Sequence, residues 1–124
     1  MRKIKNVEDA LILFETHVNT IHECSKSGNY RKSNRAYSHV ETIVKYLLEN
    51  HALESLKTFY ESNNLFLRLY AATYLAPVDS ETCYKIIKEI MDKDEGWASF
   101  EAEYTLKDWS KSSNPKVYDR ILAK

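Results

Sequence analysis

Glycine and proline are nearly missing from this chain, with two of each among 124 residues. So few turn-formers leave little material for β-hairpins and point to helices joined by short turns. They also leave no glycine-rich loop to cradle a phosphate or expose a nucleophile, and no GxGxxG, GxxxxGKS/T or GxSxG signature occurs. Cysteine is equally scarce. Cys24 and Cys83 stand alone without CxxC spacing, which fits reduced cytoplasmic thiols better than a disulfide. Net charge is absent, with eighteen acids against eighteen bases. A general polyanion binder carries a basic excess, so nucleic acid starts as the weaker class of partner. No apolar run reaches the roughly 20 residues of a membrane span. No apolar h-region follows the basic start Met1 to Lys5 either, so neither an anchor nor a signal peptide is expected. These absences describe a cytoplasmic protein of one domain, residues 1–124.

What is present is aromatic and unevenly charged. Nine tyrosines and two tryptophans are a generous aromatic supply for so small a chain, available either to thicken the core or to decorate a binding face. From Cys24 to Arg35 there are four bases (Lys26, Arg31, Lys32, Arg35) and no acid, whereas Glu89 to Asp108 holds seven acids against Lys93 and Lys107. Segregation of this kind describes either solvated helix faces or a dipole that steers a charged partner.

Hydrophobic periodicity divides the chain into helices throughout. Val7, Leu11, Phe14, Val18 and Ile21 make one stripe of a first helix over about Val7 to Lys26, with Asn6 as N-cap and Gly28 as its stop. Asn29 then caps a second helix, Tyr30 to Glu49, apolar at Tyr37, Val40, Val44, Leu47 and Leu48. A short third helix is expected from Ala52 to Tyr60, facing inward with Leu53, Leu56, Phe59 and Tyr60. The fourth stretch, Leu65 to Pro77, is apolar on nearly every side. Only Arg68, Thr73 and Pro77 fall outside the apolar and aromatic set, so this helix must be surrounded by others. A fifth helix follows Asp79 or Ser80 and runs to about Met91 on Cys83, Ile86, Ile87 and Ile90. The charged turn Asp92 to Glu95 leads to a sixth, Trp97 to Lys111, and Pro115 opens a closing turn of helix with Val117, Tyr118, Ile121 and Leu122.

At an offset of 31 residues, which carries Ala71 onto Ala102, two of these hairpins coincide. Leu53 meets Tyr84, Leu56 meets Ile87, Phe59 meets Ile90 and Tyr60 meets Met91; Phe66 meets Trp97, Leu69 meets Phe100 and Leu75 meets Leu106. Self-similarity of this length marks stacked helical hairpins, each burying its face on the next. The string Leu67-Arg68-x-x-Ala71-Ala72-x-x-Leu75 resembles the second helix of a HEAT repeat. The later copy departs from it, with Ser99 in place of the arginine and Glu103 in place of the second alanine, and the period is shorter than the usual ~40 residues. Together with Gly28-Asn29-x-x-Lys32-x-Asn34-Arg35 and Leu106-x-x-Trp109, the chain resembles a small bacterial family of unknown function with HEAT-like helices, suspected in places of neighbouring toxin genes. The resemblance implies an all-α fold of six to seven helices stacked as antiparallel hairpins in a right-handed superhelix. It brings no active site.

Residues in chemically suggestive patterns are few. His17 and His22 lie five residues apart, about 140° around a helix, so with Cys24 they read as surface or flank residues rather than metal ligands. Cys83 falls on an apolar stripe as a core thiol. The carboxylate pairs Glu101 with Glu103, and Asp92 with Asp94 and Glu95, stand on polar turns and helix surface as solvated charge. No cofactor, metal or catalytic residue is expected, and the chain reads as non-enzymatic. Stacked hairpins instead present a concave surface lined by the second helix of each pair. The residues placed there are Asn34 and Arg35, then Arg68, Tyr70 and Tyr74, then Trp97, Glu101 and Tyr104. The partner expected is another protein, such as a toxin whose basic cleft the acidic stretch would fill, making this chain an immunity protein or small adaptor. The alternatives are nucleic acid bound through Lys26 to Arg35, and a structural homodimer that buries the surplus aromatics.

Overall fold

The computed structural model describes residues 1–94 and 96–124. Glu95, the last residue of the charged turn read before the sixth helix, lies outside the described residues. Those described residues form seven α-helices and one 3₁₀ helix, with no β-strand.

The first hairpin follows from its caps. α1 (Val7–Ser27) begins where the Asn6 side chain accepts the Asp9 amide at 2.8 Å and ends at Gly28, whose φ of 74° closes the helix in the left-handed conformation. Asn29 accepts the Lys32 amide at 3.2 Å and starts α2 (Tyr30–Glu49) at once, so the two helices pack along their length as a hairpin. α2 ends in a Schellman motif: the Ala52 amide reaches the Leu47 carbonyl at 2.8 Å and the His51 amide reaches Leu48 at 3.2 Å. His51, with φ of 53°, takes the left-handed position that glycine usually fills.

The short third helix is 3₁₀ rather than α, over Leu53–Phe59. Its apolar residues explain why: Leu53, Leu56 and Phe59 recur every three residues, and three residues per turn eclipses them on one face. Asn64 then accepts the amides of Phe66 (3.1 Å) and Leu67 (3.2 Å) and starts α3 (Leu65–Leu75). Seven of the eleven residues of α3 are buried, and the helix packs against α1, the 3₁₀ helix, α4 and α5, which is the surround its composition demands.

The second half is α4 (Ser80–Asp92), α5 (Gly96–Lys107), α6 (Trp109–Ser112) and α7 (Lys116–Leu122). The single helix read over Trp97 to Lys111 is interrupted at Asp108, whose φ of −103° and ψ of 28° leave helical space. α4 and α5 pair as a hairpin, and Ser99 donates to the Ile90 carbonyl at 2.7 Å across them. α7 returns to pack on α2. There the wholly buried carboxylate of Glu41 accepts from Arg120 at 2.8 and 3.2 Å and from Lys124, a cross-chain fork between residues 79 and 83 positions apart. Burial alone would raise the Glu41 carboxyl. The two cations outweigh it and hold the group below its ordinary value.

Two side chains sit elsewhere than expected. Cys24 is a core residue, 4% exposed, because it continues the α1 stripe three positions after Ile21. Tyr37, read as part of the buried face of the second helix, is 44% exposed.

Candidate functional site

A cavity of about 330 Å³ opens between α2, α3, α5 and the α6–α7 end of the chain. α3 supplies its back wall through Leu69, Tyr70, Thr73 and Tyr74, one face at helical spacing. α5 supplies Glu101, Tyr104 and Thr105 opposite, again one face. Tyr37 comes from α2 and Val117 and Arg120 from α7, with Arg120 held in place by its fork onto Glu41. Asp108 and Lys111, an exposed pair 3.8 Å apart, edge the side toward α6.

The polar groups of this wall are poorly satisfied. The Tyr74 hydroxyl is buried without a hydrogen bond. Burial first, and then the negative potential of Tyr37 and Glu41, pushes this phenol well above its ordinary value. Tyr70 rises for the same leading reason, with Glu101 and Tyr37 adding to it. Glu101 is half-buried, and its carboxyl is raised by burial with no charged neighbour contributing. It is therefore not the solvated surface charge that its place in the sequence suggested. Glu103 is that: it faces water and meets Lys107 at 3.4 Å, one turn along the helix.

Of the eight residues placed on the inner surface, the fold brings together Tyr70, Tyr74, Glu101 and Tyr104, with Tyr104 64% exposed at the rim. The others lie apart. Arg68 bridges to Glu89 of α4 at 3.2 Å while its Nε is buried without a partner, so it serves the α3–α4 contact. Asn34 and Arg35 are exposed on α2 outside the cavity. Trp97 stands on the outside of α5, edge-on to Phe100 with ring centroids 5.9 Å apart. Reading the sequence missed Tyr37, Glu41, Phe100 and Arg120. Glu41 carried a usable signal, since it lies on the stripe of Tyr37, Val44 and Leu48.

The remaining reactive groups are dispersed. His17 packs edge-on against His39 of α2 at 4.7 Å and His22 stacks on Phe66 of α3 at 4.6 Å, so the two histidines face different helices. All three imidazoles are lowered, mainly by burial. Cys83 is buried and touches the Tyr60 hydroxyl at 3.3 Å; burial pushes its thiol up to about 11, far from a nucleophile at neutral pH. The same hydroxyl donates to Asp79 at 2.9 Å. Among the described residues, no group of three or more His, Cys, Asp or Glu side chains is placed to hold a metal ion, and no helix is long and apolar enough to cross a membrane. No protein-family model, curated protein or solved structure matches the chain.

Proposed function

We propose that the chain is a non-enzymatic protein-binding module, a short HEAT-like stack of hairpins that engages a partner with a basic surface through α5. One observation carries the reading. Trp97, Phe100 and Tyr104 are 45%, 58% and 64% exposed at positions i, i+3 and i+7 of α5, which is one helix face. Large aromatics held in water at one face are the residues that anchor protein interfaces. The charge around them selects the partner: Glu101, Glu103 and Asp108 stand in the same segment against Lys107. An acidic rim of this kind steers a basic partner and speeds its encounter. The basic cleft of a nuclease toxin is one such surface, and neutralising it is the specific form of the reading.

The test compares full-length wild type with a Trp97→Ala/Phe100→Ala variant as bait at low salt. A protein retained by the wild type and lost by the variant, with both melting at the same temperature, supports the reading. A partner held equally by both overturns it.

A second reading has an observation of its own. Lys26, Arg31, Lys32 and Arg35 are all exposed, and Tyr30 beside them is 79% exposed. This is the composition of a single-strand nucleic-acid groove, with tyrosine to stack on bases. It predicts affinity that falls steeply with salt; absence of any retained DNA or RNA at low salt removes it.

A further inference from the structure

Four charged side chains stand on the cavity wall, and three of them are matched. Arg120 forks onto Glu41, and Asp108 and Lys111 face each other. Glu101 has no hydrogen bond or counter-charge for its carboxylate among the described residues. A carboxylate drawn partly out of water without a cation is left with a desolvation cost that an incoming positive charge relieves. The side chains around it favour the same guest. Tyr37, Tyr70 and Tyr104 share the wall, and aromatic faces attract cations more strongly as water is excluded. The buried Tyr74 hydroxyl adds an oxygen that lacks a partner.

The other classes of guest fit less well. An anion would find Arg120, already occupied by the Glu41 carboxylate, and Lys111, already facing Asp108 at 3.8 Å. At about 330 Å³ the space is at the small end of the ~300–1,000 Å³ range of ligand sites, so it holds one side chain or a small amine rather than a nucleotide.

We propose that this cavity binds an organic cation, an alkylammonium or alkylguanidinium head group, with the Glu101 carboxylate as counter-charge and the Tyr37, Tyr70 and Tyr104 rings as walls. Only the source of that cation rests on the protein-binding reading: a lysine or arginine side chain of the basic partner would enter beside the exposed face of α5.

The experiment titrates the full-length protein with n-butylguanidinium chloride, sodium butyrate and n-butanol, followed by calorimetry and amide NMR. Wild type, Glu101→Gln and Glu103→Gln are compared, each checked by its melting temperature. The cation is expected to saturate, to shift amides at Tyr70, Glu101 and Tyr104, and to weaken at least about tenfold, or about 1.4 kcal/mol, in the Glu101→Gln protein alone. Butyrate and butanol are expected to give no saturable binding. Failure of the cation to saturate, equal binding of butyrate, or equal affinity in the Glu101→Gln protein each overturns the proposal. A blocked Gly-Arg-Gly peptide separates the sources. Peptide binding as tight as the free cation supports a partner side chain. Binding of the free cation alone keeps the site and makes its ligand a small amine. Conversely, a protein partner whose affinity ignores Glu101→Gln leaves the α5 reading standing and removes the partner's side chain as the source of the cation.

Discussion

Replacing Arg120 with alanine is expected to destabilise the fold and to flatten its acid limb. The magnitude follows from the fork on Glu41. That carboxylate is 1% exposed, and breaking one partner away from a fully buried pair costs about 3–5 kcal/mol because a charge is left uncompensated. Two features reduce this. The Arg120 side chain is 54% exposed, so solvent already screens the pair, and Lys124 remains on the other carboxylate oxygen. The expected loss is about 1–2 kcal/mol. A domain of 124 residues has an unfolding entropy that converts each kcal/mol into about 4 °C, so the melting temperature is expected to fall by about 4–8 °C. The sign with pH is fixed by the direction of the shift. The folded Glu41 carboxyl lies below its unfolded value of about 4.3, so its contribution is present above that value and is lost as pH falls through the folded one. Wild type and Arg120→Ala are therefore expected to differ most at neutral pH and to converge as pH falls through the folded Glu41 value, below the ordinary carboxylate range. Glu41→Gln, which keeps the size and an acceptor, is expected to lose Glu41's share of the acid limb and to leave the share of Asp9, which Arg2 holds down at about 2. Thermal melts followed by circular dichroism across pH 2–8 give the answer. Equal melting temperatures at neutral pH, or a difference that persists undiminished in acid, would refute the fork and with it the docking of α7 that closes the cavity.

Three further outcomes test the fold around the site. Asn64→Ala removes the cap of α3 and its 2.8 Å bond to Asn19, and is expected to cost about 1–2 kcal/mol in chemical denaturation; a loss under a few tenths would contradict the cap. Gly28→Ala meets nothing within 4 Å, so its expected cost of about 1 kcal/mol comes from φ alone, and an unchanged stability would show that the α1–α2 turn takes another conformation. Cys24 and Cys83 are expected to resist Ellman's reagent at pH 7.5 until the protein unfolds, and stoichiometric reaction within minutes in the native state would contradict their burial.

Local signals made much of the fold legible. Asn6, Gly28 and Asn29 mark the ends of the first hairpin because each satisfies backbone groups next to it in the chain, and the all-round apolar character of Leu65 to Pro77 places α3 at the centre. The 3₁₀ helix was visible in the three-residue spacing of Leu53, Leu56 and Phe59, but that spacing also suits one face of a short α-helix. The break at Asp108 left no comparable mark. Half of the candidate surface was legible for the same local reason: Tyr70, Tyr74, Glu101 and Tyr104 follow from which face of α3 and α5 turns inward. The rest depends on α7 returning to α2, a contact between Glu41 and Arg120 that no periodicity encodes. A charged residue on an apolar stripe, as Glu41 is, was the one advance sign that such a partner existed.

The proposed binding through α5 stands or falls on one comparison of affinities. The partner retained by the wild-type protein is titrated into two variants of matched stability, Trp97→Ala/Phe100→Ala and the charge-removed Lys26→Ala/Arg31→Ala/Lys32→Ala/Arg35→Ala. Loss of at least about tenfold in affinity, or about 1.4 kcal/mol, is predicted for the first alone. The reverse pattern, with binding lost only when the four bases are removed, would overturn binding through α5 and move the site to the α1–α2 turn.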